Sequence, residues 1–249
     1  MNVASRKISD DVLKVLDAAI IDGPNLVLTG QLDRKMYTRT NEIIEAAGGK
    51  WNRKAKAHVF DGSAADAMEP IILTGEIIKP QDFGFFPTPL DIVSLLLDRV
   101  GPAEHHRALE PSAGTGNIVR MLKGLVASID CYELQSKNVD ALLSIPEITV
   151  THADFLTVEP TPIYDIVVMN PPFARQDDIR HVMHAAKFLN ASGRLASVMS
   201  AGVLFRDNKL TTDFRQFVAD RGGEFERLDD GAFKESGTTV NTCIVSFAA

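Results

Sequence analysis

Arg107-Ala108-Leu109-Glu110-Pro111-Ser112-Ala113-Gly114-Thr115-Gly116-Asn117 is a short strand-like run that breaks into a glycine turn and opens a helix over 116–124. The same alternation repeats downstream. Strands are expected over 127–133, 147–152, 164–169, 194–200, 224–228 and 240–247, with helices over 135–144, 176–189 and 209–221 between them. Strands alternating with helices make a mostly parallel sheet covered on both faces, so the fold class is α/β with seven strands. The last two strands are joined by a short link containing Gly231 and Gly237. That link is too short for a helical crossover, so the final strand is expected to be antiparallel.

Upstream the pattern differs. A helix over 89–99 leads into the first strand, and residues 75–89 before it are rich in Gly, Pro and Phe. The chain therefore divides near residue 82, into a small α+β N-terminal domain (1–82) and the larger unit (83–249). The small domain reads as an amphipathic helix over 9–22 and a second helix over 32–47 stopped by Gly48-Gly49. A basic hairpin follows, with Trp51-Asn52 and His58-Val59-Phe60 flanking 53–56.

Composition narrows the class. Of 249 residues, 45% are hydrophobic and 24% charged, an ordinary globular balance that excludes coiled coil, collagen and disorder. No apolar run is long enough to span a bilayer, and charges at Arg6, Lys7, Asp10, Asp11, Lys14 and Asp17 interrupt any signal-peptide core. A cytoplasmic, intracellular protein is expected. Cys131 and Cys243 form no metal knuckle and read as buried thiols. The net charge is −7, yet residues 31–58 carry +4, which leaves room for a local nucleic-acid contact on an acidic chain. Lys50, Arg53, Lys54 and Lys56 crowd the expected hairpin, and the loop 202–212 with Arg206 and Lys209 is a second basic candidate.

Two sites carry the chemistry. The turn at Gly114 and Gly116 allows close backbone approach of a ligand. Glu133 ends the next strand, 17 residues after Gly116, where a carboxylate accepts from ribose hydroxyls. Asp154-Phe155 follows the third strand and offers an acceptor beside an aromatic face for a purine. All three fall at the carboxyl ends of strands, where open α/β sheets bind ligands. The run is not G-x-G-x-x-G, and no acid/base pair for hydride transfer accompanies it, which argues against a dehydrogenase.

The second site is Tyr164-Asp165-Ile166-Val167-Val168-Met169-Asn170-Pro171-Pro172-Phe173. A buried strand ends in two prolines that remove backbone donors and stiffen the chain. The carbonyls of Asn170 and Pro171 and the Asn170 side-chain oxygen are left to accept, and Phe173 adds a flat face. A planar group bearing an NH2 suits this site. His181 and His184 lack a third ligand nearby in sequence and read as surface residues rather than a metal site. Trp51 reads as core.

These motifs together resemble the S-adenosylmethionine-dependent DNA adenine-N6 methyltransferases of the class I, Rossmann-like fold, in the family's gamma motif order. The resemblance covers roughly residues 83–249. It implies that Phe85-Phe86-Pro87-Thr88-Pro89 closes over the methionine end of the cofactor, with Phe86 and Thr88 in contact. It further implies a cofactor turn containing Glu110, Ser112, Gly114, Gly116 and Asn117, with Glu110 toward the methionine amino group. Glu133 would be the ribose acid, Asp154 and Phe155 the adenine-binding pair, and Asn170, Pro171, Pro172 and Phe173 the catalytic motif. Phe233 would help hold a flipped base. The expected cofactor is S-adenosyl-L-methionine and the expected partner DNA, with no metal and no membrane; monomer and homodimer are both compatible.

Such enzymes usually carry a recognition domain after the last core motif, whereas this sequence stops two residues after Phe247. DNA contacts are therefore expected from Lys50, Arg53, Lys54 and Lys56, in a phage- or plasmid-type orphan enzyme of relaxed specificity. The same tetrapeptide chemistry also serves an RNA base or a protein glutamine amide, and a non-catalytic module would bind cofactor or DNA without transfer.

Overall fold

A computed structural model describes residues 8–76, 86–236, 238 and 240–249. The expected division near residue 82, Phe85 and Gly237 lie outside the described residues.

The N-terminal segment is built in chain order from α1 (Asp10–Asp17), β1 (Ile20–Asp22), β2 (Asn25–Val27), α2 (Arg34–Ala46), β3 (Lys50–Asn52), β4 (Ala57–Val59) and α3 (Ala64–Thr74). Its four strands pair antiparallel in the order β1-β2-β4-β3. The helix expected over 9–22 ends at Asp17, because 20–27 folds instead as a hairpin turning at Gly23-Pro24. Helix α3 is an addition to the expected elements. Pro70 lies inside it and argues against a helix in sequence, but Ser63 caps its start by accepting from the Asp66 amide, and Gly75 ends it in the left-handed conformation.

The larger sheet begins after α4 (Leu90–Val100). It runs through β5 (Arg107–Glu110), α5 (Asn117–Leu122), β6 (Ser128–Glu133), α6 (Ser136–Leu143), β7 (Thr149–His152), β8 (Tyr164–Met169), α7 (Asp177–Ala185), β9 (Leu189–Ser200), α8 (Lys209–Ala219), β10 (Glu224–Arg227) and β11 (Thr242–Ala248). The strand order is β10-β11-β9-β8-β5-β6-β7, with β11 antiparallel to both neighbours and the remaining pairs parallel. This is the class I methyltransferase arrangement. The chain enters at β5, winds outward through β6 and β7, then crosses back to β8, so the winding reverses between β5 and β8.

Alternation along β8 explains why its sequence is apolar throughout. Ile166 and Val168 pack into the core beneath α4 and α5, while Val167 and Met169 pack into the core beneath α7 and α8. Cys131 and Cys243 are both buried, and burial pushes the Cys131 thiol up to about 12.

The N-terminal segment has its own core around Leu16, Leu26, Ile44 and Met68, and Phe205 from the larger unit inserts into it. The Asn241 side chain donates to the Thr74 carbonyl at 2.7 Å, joining the end of α3 to the start of β11.

Candidate functional site

Strands β5 and β8 pair side by side, Leu109 opposite Val167, so their ends open at one place, where the winding reverses. Thr88 ties the two ends together. Its hydroxyl accepts from Asn170 Nδ2 at 3.1 Å, and its carbonyl accepts from Asn117 Nδ2 at 2.9 Å. With its amide so committed, Asn170 keeps Oδ1 buried and without a hydrogen-bond partner.

Glu110 ends β5 and is 2% exposed, with Oε2 also buried and unpartnered. Burial pushes its carboxyl well above the usual range, and the Glu133 charge adds to this against a backbone hydrogen bond from Val119. Glu110 lines a small recess with Phe86, Thr88, Ser112, Asn117 and Asn170. A buried carboxylate oxygen without a donor costs stability, and a cationic donor in that recess would satisfy it.

Glu133 ends β6 and reads the turn. Its Oε2 accepts from the Gly114 amide at 2.7 Å and its Oε1 from the Gln135 amide at 2.7 Å. Gly114 and Gly116 shape this turn rather than line the cavities. Gly116 has φ +88, and a Cβ there would lie 2.8 Å from Ile145 and 2.9 Å from Leu142.

Beyond the strand ends lies a cavity of about 430 Å³. Phe86, Ser112, Glu133, Asp154, Phe155, Asn170, Pro171, Pro172, Phe173 and Phe233 line it, with Leu134 and His181. Its lining combines acidic and amide side chains with aromatic rings, and its volume suits a nucleoside-sized ligand. Asp154 is exposed and accepts from the Leu156 amide, which fixes the turn that carries Phe155. Phe155 packs on Tyr132, His184 and Phe188 as it faces the cavity. Phe233 is buried in the core below the cavity, and half-buried Phe173 packs against the same core.

His181 and His184 are not the surface residues expected. His181 is buried on the cavity side of α7, donating from Nδ1 to the Asp177 carbonyl, and burial pulls its pKa down. His184 bonds the Val158 carbonyl. Their spacing matches the inward stripe of α7 at Ile179, Val182 and Ala185, the signal that could have placed them inside.

Lys50, Arg53, Lys54 and Lys56 are exposed on the β3–β4 hairpin, and none forms an ion pair among the described residues. Asn52 Oδ1 accepts from the Lys54 and Ala55 amides and so shapes the tip. Trp51, expected in the core, is 53% exposed, because His58 takes the buried position and Trp51 rests edge-on against it. Arg206 is also corrected. It is 2% exposed, lying 3.0 Å from Asp17 and 3.3 Å from Glu69, and is not a surface cation.

A family model described as the methyltransferase small domain matches residues 85–225, more than half of the chain. The chain belongs to the methyltransferase small domain family. The match supports methyl-transfer chemistry with S-adenosylmethionine as the cofactor. The unpartnered Glu110 oxygen and the cavity edged by Glu133, Asp154 and Phe155 fit that group. A comparison with curated proteins found no match.

Solved structures of similar fold include a type I restriction-modification methyltransferase subunit from Streptococcus thermophilus. Its TM-score is 0.57 at 21% identity, covering 74% of this chain and 48% of that one. A modification subunit of a putative type I restriction enzyme from Vibrio vulnificus matches with TM-score 0.56 at 17% identity, covering 66% and 44%. The chain thus spans about half the length of either subunit. A putative RNA methyltransferase from Pyrococcus horikoshii matches with TM-score 0.51 at 19% identity, covering 68% and 88%. No helix among the described residues is long and apolar enough to cross a membrane.

Proposed function

We propose that this methyltransferase transfers a methyl group from S-adenosylmethionine to N6 of adenine in DNA. The observation that carries the reading is the Asn170 side chain: a buried carbonyl oxygen with no partner, at the end of a central strand and the edge of an aromatic-walled cavity.

Adenine N6 is a weak nucleophile because its lone pair is conjugated with the ring. Asn170 Oδ1 and the neighbouring backbone carbonyl accept the two amine hydrogens and favour the pyramidal, electron-rich nitrogen that develops during attack. Fixed dipoles of this kind act on the transition state more than on the ground state. Phe173 stacks on the base and Phe233 backs it. The cofactor supplies an electrophilic methyl group. Glu110 would take its methionine ammonium, Glu133 the ribose hydroxyls, and Asp154 with Phe155 the adenine, while Phe86 and Ser112 complete the wall and Asn117 the recess beside Glu110. Transfer of that methyl to N6 would leave the sulfur as a neutral thioether, and the methylated amine would lose its extra proton to water. A duplex base reaches the cavity only after flipping, at a cost on the order of a few kcal/mol.

The β3–β4 hairpin is the DNA-contacting arm in this reading. Four exposed cations on this turn, none in an ion pair among the described residues, would supply phosphate contacts on an otherwise acidic chain. The similarity to restriction-modification subunits supports DNA as the substrate class.

Labelled methyl transfer onto DNA, RNA and protein side by side tests the proposal. Label in DNA, recovered as N6-methyladenine after digestion, is expected; label only in RNA or on glutamine amides would replace DNA as the substrate.

A further inference from the structure

Glu69 lies on α3, outside the cavity, yet its Oε1 accepts from the Arg175 backbone amide at 3.1 Å. Arg175 is two residues past Phe173. It and Gln176 both adopt left-handed backbone, with φ 56 and φ 59, a conformation that non-glycine residues avoid. Two successive residues of this kind need anchors from outside the turn. Gln176 has one in Thr211, whose hydroxyl donates to Gln176 Oε1 at 2.7 Å. Arg175 has Glu69.

The carboxylate of Glu69 is itself held in place. Buried Arg206 donates to both its oxygens, at 3.3 and 3.4 Å, and also lies 3.0 Å from Asp17 at the end of α1. One buried cation therefore joins two acidic residues of the N-terminal segment, and one of these grips the turn that follows the Asn-Pro-Pro-Phe wall.

We propose that Glu69 is a positioning residue for methyl transfer: it holds the turn at 173–176 in its strained form and so keeps Asn170 and Phe173 oriented on the target amine. This rests on the reading of 170–173 as the catalytic wall. The N-terminal segment is then part of the reaction site and not only a binding arm.

Two measurements on the full chain test this. In Glu69→Ala, amide hydrogen exchange is expected to accelerate in the peptide containing Arg175 and Gln176, with the β3–β4 hairpin unchanged. Turnover is expected to fall about tenfold with S-adenosylmethionine affinity unaltered. Glu69→Gln keeps an acceptor and should retain more turnover than the alanine variant. Arg175→Gly in the Glu69→Ala background should recover part of the loss, because glycine takes the left-handed conformation freely. Arg206 keeps Asp17 as a partner in each variant, so folding should persist, as a melting curve would check. Unchanged exchange at 174–177 would overturn the proposal whatever the substrate is. So would a turnover loss that glycine does not recover and that follows the loss of folded protein. If the wild type methylates nothing, the catalytic reading fails, and the exchange result still decides whether Glu69 holds the turn.

Discussion

The Asn170 amide donates to the Thr88 hydroxyl at 3.1 Å, and that bond fixes which face of Asn170 looks into the cavity. Thr88 also accepts from Asn117, so one residue ahead of α4 aligns both strand-end motifs. Thr88→Val keeps the shape and removes the hydroxyl. The loss of one such hydrogen bond is about 1 kcal/mol, so single-turnover transfer at saturating cofactor should slow roughly fivefold. An unchanged rate would mean that Thr88 does not orient Asn170.

If Glu110 receives the methionine ammonium as proposed, cofactor binding is pH-dependent. Its carboxyl pKa is raised by burial, so it holds a proton in the free protein well above the usual carboxylate range. A methionine ammonium beside it favours the ionised form and drives that proton off. Affinity should therefore rise as pH rises toward the raised value, and calorimetric enthalpies should vary with the ionisation heat of the buffer. Glu110→Gln should abolish both effects; equal proton release in the variant would place the ammonium elsewhere.

Glu133 has a double duty that separates two measurements. Glu133→Ala removes the proposed ribose partner and leaves the Gly114 amide without its acceptor, which costs about 1–3 kcal/mol. Both affinity and melting temperature should drop. Asp154→Ala should weaken binding with a smaller effect on melting, since Asp154 is exposed and holds only a local turn. Calorimetry showing wild-type affinity in both would move the adenosine site.

Changing Arg53, Lys54 and Lys56 together to Glu should weaken DNA binding and flatten its salt dependence. Removing one cation–phosphate pair lowers the slope of log affinity against log salt by about 0.9. Cofactor affinity should be untouched. A triple variant with the wild-type slope would remove the hairpin from the DNA interface, and Arg206 could not replace it, being buried against Asp17 and Glu69.

Asp178 is fully buried and its pKa is raised to about 7, first by burial and then by the nearby Glu69 charge, against hydrogen bonds from the Ser200 and Ile179 amides and the Arg206 charge. A raised acid binds its proton more tightly folded than unfolded. Its contribution is complete below about pH 4 and is lost as pH climbs through about 7. The melting temperature should fall over that window, and more steeply than in Asp178→Asn. Parallel curves would assign the dependence to other groups.

The seven-stranded sheet was legible because its central strands, β8 above all, are apolar on both faces, and the breaks after β5 and β8 carry glycine or proline, at Gly114 and Pro171. The motif residues could be placed at strand ends for the same reason. The N-terminal segment was less legible. Pro70 masked α3, and β1 (Ile20–Asp22), which leads into the Gly23-Pro24 turn, lay inside what read as one amphipathic helix. Charge alone could not separate Arg206 from Lys209, because burial of an arginine depends on acids distant in sequence, here Asp17 and Glu69. Trp51, expected in the core, lies half outside it because β3 is a short edge strand, and His58 opposite holds the buried position.

The most direct test compares wild type with Asn170→Ala, measuring N6-methyladenine formed in DNA alongside cofactor affinity. Wild type should produce N6-methyladenine. The variant should bind S-adenosylmethionine nearly as well and turn over at least about a hundredfold more slowly, as expected for removing an oxyanion-type dipole. Wild-type turnover in the variant, or methyl transfer that never reaches adenine N6, would contradict the account.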